Sequence, residues 1–105
     1  MLAIIGLVAS ALAIGAVIYI TVKLTISFLK SYKKKKTSKI MAAQVKDLIK
    51  SAPSMKLEDL DGDDMVLAEY DPVEDELVQD ISVATDIDSR VSNIVDGNGG
   101  IVVFD

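Results

Sequence analysis

The sequence predicts a mainly α membrane protein with one N-terminal transmembrane helix, a short amphipathic helix and a small acidic C-terminal tail that is α/β or partly extended. Three observations support this prediction. Residues 1–22 contain no charged side chain. Six lysines follow between positions 30 and 39, and residues 57–105 hold fifteen acidic residues against one arginine. The predicted order is therefore a membrane anchor, a polybasic collar and an acidic head.

The first predicted element is a transmembrane helix over residues 1–29. At about 1.5 Å per residue, an apolar run of this length fills a hydrocarbon core of about 30 Å. Lys23 interrupts the run, but a lysine near the end of a span can extend its ammonium to the headgroups. A cleaved signal peptide is the alternative. It is disfavoured because a basic n-region is missing and the apolar run is too long.

The second predicted element is the polybasic collar, residues 30–39. By the positive-inside rule, this collar places the C-terminal part in the cytosol and the N-terminus outside. Nucleic-acid phosphates are an alternative partner, but the position after the span and the near absence of aromatic residues favour lipid. The side chains expected to contact lipid headgroups are Lys30, Lys33, Lys34, Lys35, Lys36 and Lys39.

Small residues recur at a spacing of four within the predicted span. This spacing lets two membrane helices approach closely, which predicts a homo- or hetero-oligomer. The alternative is that glycine and alanine are simply common in membrane helices. The predicted packing residues are Gly6, Ala9, Ser10, Ala13 and Gly15.

Residues 40–53 are predicted to form the amphipathic helix, with Ser38 as its cap and Pro53 at its end. Residues 54–64 are predicted to form an acidic linker. Its alternating aspartates, Asp59, Asp61 and Asp63, are similar to a calcium loop, but the glycine and the final glutamate of such a loop are out of register. A solvated turn is the favoured interpretation, and cation binding by the linker is left open.

Residues 65–105 form the predicted head. Its expected elements are a strand over 65–69, a helix from Asp71 to about Ile81, a helix over 86–95 and a strand over 101–104, which could pair with 65–69. Two short strands do not make a stable sheet, which favours a tail ordered by a partner over an independent α/β module. The expected partner contacts are Leu77, Ile81, Ile101, Val102, Val103 and Phe104.

The composition restricts the function classes. Cys, His and Trp are absent, so thiol, imidazole and soft-ligand zinc chemistry are excluded. We expect no enzyme activity, no metal site and no cofactor. The layout resembles the minor membrane proteins of virions with an internal lipid membrane, which implies a structural subunit linking the bilayer to a protein shell. The alternative is a cellular membrane-anchored adaptor that recruits a basic cytosolic partner through its acidic tail.

Overall fold

The computed structural model describes residues 2–13, 17–51 and 61–104. These ranges contain four helices and six strands. In chain order they are α1 (Leu2–Ala13), β1 (Val17–Ile20), α2 (Ile26–Tyr32), β2 (Lys39–Gln44), α3 (Val45–Ser51), β3 (Met65–Asp71), β4 (Glu76–Leu77), β5 (Ile81–Ala84), α4 (Ser89–Gly97) and β6 (Ile101–Phe104).

The six strands form one mixed sheet in the order β1-β5-β3-β2-β6, and the short β4 pairs with the end of β3. Strand β1 runs parallel to β5, and every other pairing is antiparallel. The central strands β3 and β2 pair along their length, from Lys39 opposite Tyr70 to Gln44 opposite Met65. The outer strands of the described sheet are therefore β1 and β6.

Both faces of the sheet are covered, which gives three layers. Successive residues of a strand point to opposite faces, so Met41 and Ala43 of β2 join one buried cluster with α1 and α3. Ile40 and Ala42 join a second cluster with α2 and α4. Strands buried on both faces are apolar at nearly every position instead of alternating. The runs in β2, β3 and β5 have this character.

The predicted transmembrane helix over residues 1–29 is wrong. The described part of this segment is divided into the 12-residue helix α1, strand β1 and the start of α2. Its apolar side chains include Val8 and Leu24, which are fully buried in the two clusters. In the part of the chain that the structure describes, no helix has both the length and the apolar character needed to cross a bilayer.

The predictions that depended on the span fail with it. The mainly α membrane fold is replaced by a small α/β fold with a six-stranded sheet. The predicted single-pass localisation, with the N-terminus outside and the C-terminus in the cytosol or beneath a virion shell, is also wrong. The physical reason is that the apolar residues of the predicted span pack in the sheet and its covering layers. Without a span, the positive-inside rule does not apply, because it holds only for chains that cross a bilayer.

Two predicted helices are largely strand and turn. The amphipathic helix over 40–53 begins as strand β2, and only α3 is helical. The helix from Asp71 to Ile81 is replaced by a turn, β4 and the start of β5. Sheet pairing overrode the local helical pattern in both places. Residues 52 and 53 of the predicted helix and residues 54–60 of the predicted linker lie outside the described residues.

The strand predictions for 65–69 and 101–104 are confirmed as β3 and β6, and a helix is confirmed near 86–95 as α4. The proposed pairing is wrong, because β2 lies between β3 and β6 and pairs with both. The interpretation of the head as a tail ordered by a partner is also wrong. Strands β1 and β2, from two other parts of the chain, complete its sheet.

The turn between α4 and β6 requires glycine at its last position. Gly100 has φ of +91°, and a Cβ placed there would lie 2.7 Å from the Cβ of Asp47 in α3. Its amide donates to the carbonyl of Val95, and its carbonyl accepts from Gln44, both at 2.9 Å. This one residue therefore ends α4 and connects it to the sheet.

We expect Gly100→Ala to lower the free energy of unfolding by at least about 1–3 kcal/mol, because an L side chain is strained at this φ and also meets Asp47. Urea denaturation followed by circular dichroism measures this loss. Gly97→Ala is the matched control, since a Cβ at Gly97 meets nothing within 4 Å. Equal stability of the two variants would contradict the assignment.

Candidate functional site

The most unusual group in the fold is the carboxylate of Glu69, which lies on central strand β3 and is 0% exposed. It faces the α2 side of the sheet. The segment that covers it is the lysine loop, residues 33–36, which connects α2 to β2. An unpaired buried charge is very costly. The surroundings of Glu69 must therefore supply several hydrogen-bond donors.

Main-chain groups of the lysine loop supply most of these donors. The Lys34 amide lies 2.9 Å from Oε1 and 3.0 Å from Oε2 of Glu69, and the Lys35 amide lies 2.8 Å from Oε2. The Ser38 hydroxyl also donates to Oε2, and Gln79 Nε2 donates to Oε1 at 2.7 Å. The loop thus binds an anion of its own chain through its backbone, so its lysine side chains are not needed for that purpose.

The titration of Glu69 follows from this arrangement. Burial by itself raises the pKa of the carboxyl group, but the hydrogen bonds from Ser38, Lys34, Lys35 and Gln79 together outweigh burial. The net result is a pKa below the ordinary value of glutamate. Glu69 is therefore held as a carboxylate whose oxygens are already occupied, and it is not placed to take a proton from a substrate.

A second carboxylate, that of Asp71, also holds the lysine loop, through the side chain of Lys35. Asp71 pairs with the ammonium of Lys35 and accepts the amide of Val73 at 2.9 Å. The Asp71 side chain is buried, whereas that of Lys35 remains 45% exposed. The hydrogen bond from Lys35 lowers the pKa of Asp71, and the same bond raises the pKa of Lys35.

Tyr32, the last residue of α2, connects this helix to β5. Its hydroxyl lies 3.0 Å from Ser82 Oγ and 3.2 Å from the carbonyl of Asp80. Its own carbonyl accepts from Gln79 at 2.7 Å. Burial raises the pKa of this phenol. These bonds hold the end of α2, and with it the start of the lysine loop, against the sheet.

Two surface depressions lie beside the loop. An apolar groove of about 290 Å³ lies between α2 and the β2–β6 edge. A cleft of about 300 Å³ is lined only by lysines, and two of these, Lys30 and Lys33, also line the groove. The lysines of the cleft can bind an anion, and the groove can hold an apolar group. Among the residues that the structure describes, no cluster of three acidic side chains is gathered to hold a metal ion.

The structure brings the predicted lysines together but does not test their contact with lipid. Lys30 lies on α2, and Lys39 begins β2. Five of the six, all except Lys39, line the cleft. The predicted linker aspartates Asp61 and Asp63 are exposed, and Asp59 lies outside the described residues.

The other predicted contact residues are placed as follows. Of the small residues, Ala9 packs on the first buried cluster, Gly6 and Ser10 are exposed, Ala13 ends α1, and Gly15 lies outside the described residues. Of the expected partner contacts, Ile81 is fully buried and Leu77 is half-buried. The remaining four form the edge strand β6: Ile101, Val102, Val103 and Phe104.

The residues that build this site carry no predicted role in it. Glu69 was assigned to a strand but given no role, although an acid after the apolar run MVLA was a usable signal. Ser38 was interpreted as a helix cap, and Gln79 and Tyr32 were given no role at the site. The apolar side chains of the groove come from three segments, α2, β2 and β6, and no local pattern connects them. They are Ile26, Leu29, Ile40 and Phe104.

Comparison of the chain with protein-family models, with curated proteins and with solved structures finds no match.

We expect Glu69→Gln to lower the free energy of unfolding by about 2–4 kcal/mol, because the amide keeps one acceptor and turns its NH₂ toward the donors of the loop. Urea denaturation at pH 7 measures the loss. Glu76→Gln, at an exposed acid of β4, is the control and should change stability by less than about 0.5 kcal/mol. A similar small change at Glu69 would show that its hydrogen bonds do not hold the loop.

The contribution of Glu69 should disappear in acid. Its folded pKa is lowered, so its stabilisation is fully present above the unfolded pKa of about 4.3 and is lost as the pH falls through the folded value. The difference in unfolding free energy between wild type and Glu69→Gln should therefore be constant above about pH 5 and shrink below about pH 4. Urea titrations from pH 7 to pH 3 measure it. A difference that persists unchanged at pH 3 would contradict the assignment.

Proposed function

We propose that this chain is a non-catalytic structural or scaffolding subunit of a protein assembly, and that it joins its neighbours at the edges of its sheet. The observation that carries the proposal is that, within the described ranges, the outer strands β1 and β6 are each paired on one side only. An open strand edge presents main-chain donors and acceptors to another chain. Strand addition at such an edge is a common mode of protein recognition.

The β1 edge supports the proposal through its exposed apolar side chains. Ile18 is 53% exposed, Tyr19 is 62% exposed, and Val22 just beyond the strand is 56% exposed. The strand itself contains no charged residue. Folded proteins usually protect an open edge with lysine, proline or a covering loop. A neighbouring group of exposed apolar side chains is typical of a surface that contacts another protein.

The β6 edge supports the proposal in a similar way. Its residues Ile101–Phe104 pair with β2 from Ala43 to Ile40. Val103 is 38% exposed, and the other three side chains are half-buried. A strand added here would extend the sheet beyond β6, and main-chain hydrogen bonds would supply much of the affinity.

An adaptor that recruits a basic partner is the second candidate. It is supported by three exposed acidic residues, Glu74 and Asp75 in the turn between β3 and β4 and Glu76 at the start of β4. After the hydrogen bond to Asp71, the negative charges of Glu74 and Glu76 also raise the pKa of nearby Lys35. The lysine loop therefore offsets part of this acidic charge, which is why we favour the sheet edges.

Site-specific photo-crosslinking in the cell that makes the protein tests the proposal. A photoreactive phenylalanine derivative replaces Tyr19 or Val103, and replaces exposed Asp63 in the control. We expect the two edge positions to give abundant crosslinks to one protein, or to further copies of this chain. These crosslinks should persist at high salt, because main-chain hydrogen bonds and apolar contacts are little screened.

Edge positions that crosslink no better than the Asp63 control would overturn the structural role. The same probe at Asp75 examines the adaptor. Crosslinks from Asp75 that disappear at high salt, with none from the edges, would favour recruitment through the acidic turn.

A further inference from the structure

The groove beside α2 has walls that suit an aliphatic chain. Ile26 and Leu29 of α2 form one wall, and Ile40 of β2 and Phe104 of β6 form the other. Leu29 and Ile40 are buried, whereas Ile26 and Phe104 are half-buried at the opening. Its volume of about 290 Å³ is near the lower end of the range of about 300–1,000 Å³ for ligand pockets. This size suits one aliphatic chain rather than two.

The charged end of the groove is formed by Lys30 and Lys33. Lys30 lies in the last turn of α2, and Lys33 is the first residue after the helix. Both also line the neighbouring lysine cleft, so the apolar groove and the cleft meet at these two residues. A ligand with its chain in the groove would therefore present its end to the lysines.

The positive charge of the cleft is not neutralised from within. Lys35 is paired with Asp71, but Lys30, Lys33, Lys34 and Lys36 form no ion pair with any residue in the described ranges. The carboxylate of Glu69 below them is already occupied by main-chain and side-chain donors. Like charges gathered in one cleft repel each other and attract an anion.

We propose that this groove and cleft bind a single-chain alkyl phosphate, with the aliphatic chain between α2 and β6 and the terminal phosphate among the lysines. A doubly charged headgroup matches a cleft with four unpaired lysines better than a carboxylate does. An acidic peptide fits less well, because its main-chain groups would enter a groove whose polar side chains, among the described residues, are two lysines at one end. The site shares Phe104 with edge strand β6, but it would bind through side chains of the groove, whereas the proposed assembly uses the open main-chain edges.

Isothermal titration calorimetry on the full-length protein tests the proposal, with decyl phosphate kept below the concentration at which it forms micelles. We expect one decyl phosphate per chain. Inorganic phosphate, which lacks the chain, and decanol, which lacks the charge, should each bind at least tenfold more weakly. Each methylene removed from the chain should weaken binding about fourfold, since burial of a CH₂ contributes about 0.8 kcal/mol.

Two pairs of variants examine the site. Ile26→Asp places a carboxylate in the groove at the first residue of α2, where the helix N-terminus tolerates an acid. Its control is Ser27→Asp, at the exposed neighbouring position.

The double change Lys30→Gln and Lys33→Gln should weaken binding about tenfold. Its charge-matched control is Lys23→Gln with Lys50→Gln. Circular dichroism verifies the fold, and the lysine pair provides the test if Ile26→Asp unfolds.

Several outcomes would overturn the proposal. Equal binding of inorganic phosphate and decyl phosphate would leave only an anion cleft, and equal binding of decanol would leave only an apolar groove. Decanoate binding more tightly than decyl phosphate would refute the headgroup assignment. Binding to anionic vesicles, or to an acidic peptide, without binding of monomeric decyl phosphate would assign the surface to a different partner. None of these outcomes affects the crosslinking test of the sheet edges.

Discussion

The burial of the Glu69 carboxylate is the constraint on which this structure depends. A negative charge in the middle of a two-sided sheet is tolerable only where several donors converge on it. Here the donors come from the lysine loop, from Ser38 before β2, and from Gln79 between β4 and β5. One side chain on the central strand therefore ties together three other segments of the chain. It also fixes where α2 ends and where β2 begins.

This constraint separates two electrostatic roles within one loop. The main chain of residues 34 and 35 binds the Glu69 carboxylate, and the ammonium groups of the same residues are not needed for that contact. Within the described ranges, Lys35 is the one cleft lysine that forms an ion pair, with Asp71. The others concentrate positive charge at the end of the apolar groove between α2 and β6. The surface that we propose for ligand binding is thus formed by the same loop that satisfies the buried carboxylate.

Some of the fold was predictable from local pattern, and the errors have one physical origin. The apolar strands at 65–69 and 101–104 and the helix near 86–95 were predicted because their boundaries carry clear turn signals. The apolar run of residues 1–22 was misassigned because length and hydropathy do not distinguish a span from segments packed on a covered sheet. The helical pattern of 40–53 was misleading in the same way. In a sheet buried on both faces, apolar residues at every position also satisfy a helical spacing.

The sequence by itself determined the absence of thiol and imidazole chemistry, the clustering of six lysines, the acidic C-terminal half and the turn that Gly100 ends. Tertiary structure alone decided that Glu69 is buried, that β2 lies between β3 and β6, and that Phe104 and Ile26 face one groove. The difference follows from the range of the interactions. Composition, turns and charge runs are properties of neighbouring residues. A buried carboxylate and a groove depend on donors and walls that residues more than 30 positions apart bring together.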